Sequence, residues 1–171
     1  VTQWISDAGL DNRRFAILHA GASAARPEKC WPRYAALAAR LVEHDVTPVW
    51  IGGKGERAQN AALQTASGGI DASGCFSVAA LAFFGRTAAF AVTNDSGPMH
   101  ILSASGIPVF GLFGPSNWRR NHALGQQENV ITPQDGSMLI DRITVAQVIE
   151  RLEATGCVAS SSDQSDSNSS V

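Results

Sequence analysis

Ala88-Ala89-Phe90-Ala91-Val92-Thr93-Asn94-Asp95-Ser96-Gly97-Pro98-Met99-His100 is the stretch that decides the fold. Its first five residues are a short continuous apolar run, as expected of a buried parallel strand. A polar turn follows, and then a helix-like run from about Met99 to Ser105 that Gly106 and Pro108 close. Strand, tight turn and helix together aim free backbone N–H groups at an anion. Pro98 suits the first helical turn, where its missing N–H costs nothing. Asp95 or Ser96 can cap that helix, and either can instead hydrogen-bond a ligand hydroxyl.

The same alternation extends outward in both directions. Phe15-Ala16-Ile17-Leu18 reads as a strand that Gly21-Ala22-Ser23 breaks. Pro32 opens a helix with Leu37, Ala38, Leu41 and Val42 at helical spacing. Val49-Trp50-Ile51 is a strand broken by Gly52-Gly53, and a helix follows from about Glu56 to Thr65. Ser77 is placed to cap a short helix with Val78, Leu81 and Ala82 inward. Pro108 to Phe113 and Asn129-Val130-Ile131 read as two further strands. Thr144 to Ala154 closes as a helix with Val145, Val148, Ile149 and Leu152 on one face. Repeated βα units of this length predict an α/β fold, a parallel sheet with helices on both faces. In such folds a ligand sits beyond the carboxyl ends of the strands.

The 171 residues fit one domain with a substantial core, and 44% of them are hydrophobic. The net charge of −2 and the lack of a basic cluster give no electrostatic case for nucleic acid. No apolar run approaches the roughly 20 residues that span a bilayer. Cys30, Cys75 and Cys157 form no CxxC pair, so neither a disulfide framework nor a zinc site is expected. A reducing, cytoplasmic setting is the natural reading. The polar start Val1-Thr2-Gln3-Trp4 lacks Met, which suggests a cut or processed start without a signal peptide. Residues 158–171 are mostly Ser with Asp, Asn and Gln, and predict a disordered tail.

Four polar clusters follow strand ends. The first is His19-Ala20-Gly21-Ala22-Ser23 with Lys29-Cys30-Trp31-Pro32. Small residues there admit close backbone approach, Ser23 adds a hydroxyl, and Lys29 is a compact cation suited to a diphosphate; a plain loop with a solvated lysine is the alternative. The second is Gly52-Gly53-Lys54-Gly55-Glu56-Arg57-Ala58. Gly53-x-Gly55-x-x-Ala58 is a loose dinucleotide fingerprint with Asp71 as a candidate ribose acid, although Asp71 does not read as the end of a strong strand. Glu56 can accept from ribose hydroxyls or simply favour a helix start. The third is the Asn94–His100 turn. A Ser-His-Asp triad is rejected because no G-x-S-x-G elbow is present. His100 shows no ligand spacing with His19, His44 or His122, and is either a helix-capping or core histidine or a ligand contact. The fourth is Gly111-Leu112-Phe113-Gly114-Pro115-Ser116, whose bracketing glycines imply close packing or close ligand approach. Ser116 and the pair Arg119-Arg120 can reach an anion, or mark a turn with solvated arginines.

Taken together and in order, these clusters resemble glycosyltransferase family 9, the heptosyltransferases of lipopolysaccharide core assembly. The likeness spans about Phe15 to Ile131. Its most specific part is Asn94-Asp95-Ser96-Gly97-Pro98-Met99-His100, with Ala104, Pro108 and Phe113-Gly114-Pro115 after it. His19-x-Gly21-Ala22, Lys29-x-Trp31-Pro32 and Gly52-Gly53…Glu56 precede it in register. The resemblance implies the C-terminal, Rossmann-like half of a GT-B enzyme. Residues 1–13 would then be the linker and helix from an N-terminal domain, and 14–157 the nucleotide-sugar domain.

By the same resemblance, Lys29 and the Ser96-Gly97 turn hold the donor diphosphate and Ser23 lies near it. Glu56 contacts the ribose side and Asp95 the sugar, with His100 and Ser116 completing the donor set. ADP-heptose is the implied donor, a lipopolysaccharide core the acceptor, and no metal or other cofactor is required. The acceptor site and the general base belong to the N-terminal domain, so no catalytic residue is expected in this chain and it should be inactive alone. The implied location is cytoplasmic, at most peripheral to the inner membrane. Two departures stand out: Ala20 replaces the usual Pro, and Ser116-Asn117-Trp118-Arg119-Arg120 replaces a Thr-x-Pro continuation. A non-catalytic nucleotide-binding or interaction module with the same fold is the rival reading. An NAD-binding domain, resting on Gly53-x-Gly55-x-x-Ala58 alone, is a further one.

Overall fold

The computed structural model describes residues 1–23 and 25–160. Six parallel strands form one sheet: β1 (Phe15–His19), β2 (Thr47–Trp50), β3 (Ile70–Asp71), β4 (Phe90–Asn94), β5 (Val109–Leu112) and β6 (Val130–Ile131). Their spatial order is β3-β2-β1-β4-β5-β6. The chain winds outward from β1 to β3, then returns to place β4 on the other side of β1. Ile17 is accordingly in register with Val49 on one side and Ala91 on the other. The carboxyl ends of β1 and β4 thus flank the point where the winding reverses, where α/β sheets open a crevice.

All five residues of β1 and all five of β4 are buried, which is why the sequence shows continuous apolar runs there instead of alternation. Successive side chains enter opposite cores. Ala16 and Leu18 join Tyr34, Leu37 and Leu41 of the helical face formed by α2 (Tyr34–Glu43) and α7 (Val145–Ala154), with Val148 and Leu152. Leu63 of α3 (Arg57–Ser67) packs at the margin of this core. Phe15 and Ile17 enter the other core, with Leu81 and Phe84 of α4 (Val78–Gly85) and Met99 and Leu102 of α5 (Gly97–Ser103). Residues 1–13 belong to that second face. Ile5 of α1 (Thr2–Asp7) and Leu10 are buried in it. Trp4 meets Phe76 and Phe84 edge-on at 5.1 and 5.3 Å.

The strands and long helices fall where the apolar patterns predict, with ends shifted by one to three residues. Two side chains expected inward face out: Val42 is 50% and Val78 68% exposed. In α2 the buried stripe is Tyr34, Leu37, Ala38 and Leu41, and Val42 falls on its flank. In α4 nearly every residue is apolar, so spacing gives no direction, and Leu81 and Phe84 take the core while Ala82 is half-buried. Ile70–Asp71 does form a strand end, two residues long and paired to β2. A one-turn helix, α6 (Trp118–Asn121), also lay outside the sequence reading. Of the tail, residues 161–171 lie outside the described residues.

Candidate functional site

The carboxyl ends of β1, β2 and β4 bring the first three clusters into one crevice. Its frame is Asn94, the fully buried last residue of β4. The Asn94 amide donates to the carbonyls of Ala20 and Gly21 at 2.9 and 3.0 Å. Its oxygen accepts from the Trp31 backbone N–H at 3.2 Å and the Tyr34 hydroxyl at 3.3 Å. One side chain therefore fixes the turn after β1 and the segment that carries Lys29. The Trp31 indole holds the far side of that segment by donating to the Ile143 carbonyl at 2.9 Å.

Lys29 ends a single 3₁₀ turn, Pro27–Lys29, and reaches across to Asp95. Its Nζ lies 2.7 Å from Asp95 Oδ2, with only 16% and 8% of the two side chains exposed. Asn121 Nδ2 also donates to that oxygen, at 3.5 Å. Burial alone would raise the Asp95 carboxyl. The Lys29 ammonium, with Ser116 and Asn121, outweighs it and holds Asp95 below the ordinary aspartate value. Ser116 Oγ is buried and makes no hydrogen bond of normal geometry among the described residues, so its effect on Asp95 is one of proximity. Asp95 is therefore an anion held against a cation at the rim of the crevice.

A second network is built on His19, the last residue of β1 and only 3% exposed. Its Nε2 lies 3.2 Å from Glu56 Oε1 and its Nδ1 3.1 Å from Ser96 Oγ. With Glu56 ionised, Nε2 is the donor and Nδ1 is open to the Ser96 hydroxyl. Glu56 Oε2 accepts from the Gly53 N–H at 2.7 Å. The hydrogen bond from His19, helped by Gly53 and opposed by burial, lowers the Glu56 carboxyl below its ordinary value. This network needs glycine at position 21, because a Cβ there would fall 1.5 Å from Glu56 Oε1.

Ser96 occupies the N-cap position of α5, yet its side chain makes no capping bond. Nor does Asp95, which turns to Lys29. The first-turn N–H groups of α5 keep no side-chain partner. Ser23 is exposed at the lip of the loop after β1, and Gly97 is exposed at the start of α5. His100, in the first turn of α5, is exposed and forms no side-chain hydrogen bond or ion pair among the described residues. Asp71 uses Oδ1 to accept from the Ser73 N–H at 2.8 Å, closing a turn. The glycines of the fourth cluster serve packing, since a Cβ at Gly114 would lie 2.7 Å from the Ile140 backbone nitrogen. His19 is the residue that sequence reasoning underused. Its place at a strand end opposite Glu56 follows from topology, not from spacing along the chain.

An apolar cavity of about 130 Å³ lies beside Gly52 and Gly53, between Ala72, Phe76, Leu81 and Ile101. Among the described residues no group of three His, Cys, Asp or Glu side chains is gathered as a metal-ligand set. No helix among them is long and apolar enough to cross a membrane.

Comparison with known proteins gives one consistent answer. The family model of glycosyltransferase family 9 (heptosyltransferase) matches residues 4–142. No curated protein matches the sequence significantly. Among solved structures, the family 9 glycosyl transferase from Veillonella parvula DSM 2008 superposes with a TM-score of 0.77 at 25% identity, over 90% of this chain and 49% of that one. The E. coli ADP-heptose lps heptosyltransferase II gives 0.75 at 23% identity, over 90% of this chain and 50% of the other. An E. coli heptosyltransferase solved with ADP gives 0.73 at 18% identity, over 90% and 48%. The chain thus spans about half the length of the structures it matches. With a family model covering most of its length and the same sheet in its structural relatives, the chain belongs to glycosyltransferase family 9.

Proposed function

We propose that this chain is the C-terminal, donor-binding half of a GT-B heptosyltransferase. It binds ADP-heptose for transfer of the heptose to a lipopolysaccharide core acceptor. The observation that carries this reading is the Lys29–Asp95 pair, set at 2.7 Å beside the Ser96–Gly97 helix start. A cation and a helix start without a side-chain cap together favour a diphosphate. Asp95, kept ionised, accepts from sugar hydroxyls, and Glu56 accepts from the ribose. The apolar lining of the cavity beyond Gly53 suits a nucleobase. Two of the relatives support this choice of donor, one named for ADP-heptose and one solved with ADP.

An inverting transfer needs a base on the acceptor hydroxyl and stabilisation of the departing diphosphate. Lys29 and the α5 turn supply the second. The base belongs to the N-terminal domain, so the chain by itself binds donor without transfer, in the cytoplasm at most peripheral to the inner membrane.

Calorimetry with ADP tests the reading. Lys29→Ala removes a charge-assisted contact and should weaken ADP by about ten- to a hundredfold. No ADP binding by the unaltered chain, or binding by Lys29→Ala as tight as by the unaltered chain, overturns the donor-site assignment. Transfer that appears only when a separately produced N-terminal domain is added distinguishes half an enzyme from a non-catalytic nucleotide-binding module.

A further inference from the structure

His19 is buried in the crevice, yet none of the proposed donor contacts uses it. It ends β1, the strand that lies between β2 and β4. Its two ring nitrogens meet side chains from the turns after those two neighbours. Nε2 faces Glu56, after β2, at 3.2 Å, and Nδ1 faces Ser96, after β4, at 3.1 Å. The ring is therefore the joint between the carboxylate assigned to the ribose and the turn assigned to the diphosphate.

The protons at this joint can be counted. The Ser96 hydroxyl has one proton and two acceptors in reach, His19 Nδ1 and the Asn94 carbonyl, each at 3.1 Å. A neutral ring that donates from Nε2 to Glu56 leaves Nδ1 bare, and Nδ1 draws the Ser96 proton inward. A protonated ring donates from both nitrogens, and both already face acceptors, the Glu56 carboxylate and Ser96 Oγ. The Ser96 proton is then released to the Asn94 carbonyl or to an anion lying in the turn. Both protonation states are thus satisfied by the same heavy-atom positions.

Glu56 is the ionised group that contacts the ring. Lys29 and Asp95, on the segments flanking β1 and β4, offset each other at 2.7 Å. Cys30 has its thiol pushed up by burial and then by Glu56, and is uncharged. Lys54 and Arg57, beside Glu56 in sequence, flank Gly74, and Arg57 donates to the Ser73 carbonyl at 3.3 Å. His100 is exposed on α5.

We infer that binding of a diphosphate at the Ser96–Gly97 turn is coupled to uptake of one proton from solvent by His19, a positioning residue that acts through Ser96 and Glu56. The inference rests on the donor reading. An anion beside Ser96 favours the imidazolium, and it accepts the hydroxyl proton that the ring has given back. By reciprocity, proton and diphosphate strengthen each other's binding by the same factor. ADP affinity therefore rises as pH falls through the range in which the free ring takes up its proton.

The test follows the His19 ring of the full chain by NMR, assigned through its own backbone, between about pH 5 and 8. Saturating ADP should move the half-protonation point of His19 upward by about one pH unit, a tenfold gain in proton affinity. His44 and His122 should not move. Ser96→Ala should lose most of the shift. Calorimetry should show ADP affinity rising toward acid more steeply in the unaltered chain than in His19→Gln, by up to about tenfold. The terminal phosphate of ADP titrates in the same range and contributes alike to both proteins. A His19 titration that ADP leaves in place or moves downward overturns the inference, as does an equal slope in the two proteins. A His19→Gln chain weakened equally at every pH would leave His19 a structural residue only. If His19→Gln does not fold, the ring titration of the unaltered chain decides. The backbone amides of Gly53 and Ser96 report ADP separately. If ADP moves them and His19 keeps its titration, the proton coupling falls and the donor reading stands. If ADP moves neither these amides nor His19, the donor reading falls and the coupling with it.

Discussion

Two residues decide how the crevice is charged, and they fail in different ways. Gly21 makes room for the Glu56 carboxylate, whose oxygen lies where a Cβ would stand. Gly21→Ala therefore drives Glu56 off His19. Glu56 keeps 28% of its side chain exposed and can swing toward solvent, so the stability cost should stay near about 1 kcal/mol. On the proposed role of Glu56 as acceptor from the ribose, ADP affinity should fall by about tenfold. Loss of binding with an intact urea transition is the expected result, and unchanged affinity would remove Glu56 from the site. Asp95 is instead a stability group. Its carboxyl is held below its ordinary value, so its contribution is complete above the unfolded aspartate value, about 3.9. That contribution is lost as pH falls through the lower folded value. Asp95→Asn should be less stable than the unaltered chain near neutral pH and show a shallower decline in acid. Urea midpoints measured between neutrality and acid would show the two curves converge, and parallel curves would contradict the ionised Lys29–Asp95 pair. Lys29 and Asp95 could both be suspected from their places after strand ends, but their pairing could not. They are 66 residues apart, and only the adjacency of β1 and β4 brings them together.

At the scale of elements, the crevice depends on how β4 is tied to the turn after β1 and to the segment entering α2. Asn94 makes that tie with four hydrogen bonds, from a side chain with no exposure. Asn94→Ala leaves buried carbonyls and an N–H without partners, each costing about 1–3 kcal/mol. A net loss of about 3 kcal/mol is expected, with the Lys29 segment released first. Hydrogen exchange at Trp31, whose N–H donates to Asn94, should quicken more than exchange at Ile17 in the sheet centre. Equal change at both would mean global destabilisation only. The elements themselves were legible to different degrees. β1, β4 and β5 announce themselves because burial on both faces demands unbroken apolar runs. β3 has two residues, both only half-buried, and exists because it pairs with β2, a fact that no local pattern carries. α6, four residues long, is too short for any period, and its Asn121 contact with Asp95 was hidden for the same reason.

For the molecule as a whole, the proposed donor site is spread over the ends of β1, β2 and β4, three strands of one sheet. Binding there couples to the cooperative unfolding of the entire domain, since Glu56, Lys29 and Asp95 lose their mutual geometry only when the sheet opens. A ligand at one hundred times its dissociation constant adds about 2.7 kcal/mol to the folded state. For a domain of this size that corresponds to a rise in melting temperature of about 5–10 °C. Saturating ADP should produce that rise in the unaltered chain. In Lys29→Ala, at the same ADP concentration, a tenfold loss of affinity removes about half of the gain and a hundredfold loss nearly all of it. Arg119→Gln lies outside the donor site and should keep the full rise. A thermal scan of the three proteins with and without ADP separates these cases. A rise confined to a minor unfolding step would mean that the crevice is a local loop site, and not a property of the sheet that the β1–β4 junction organises.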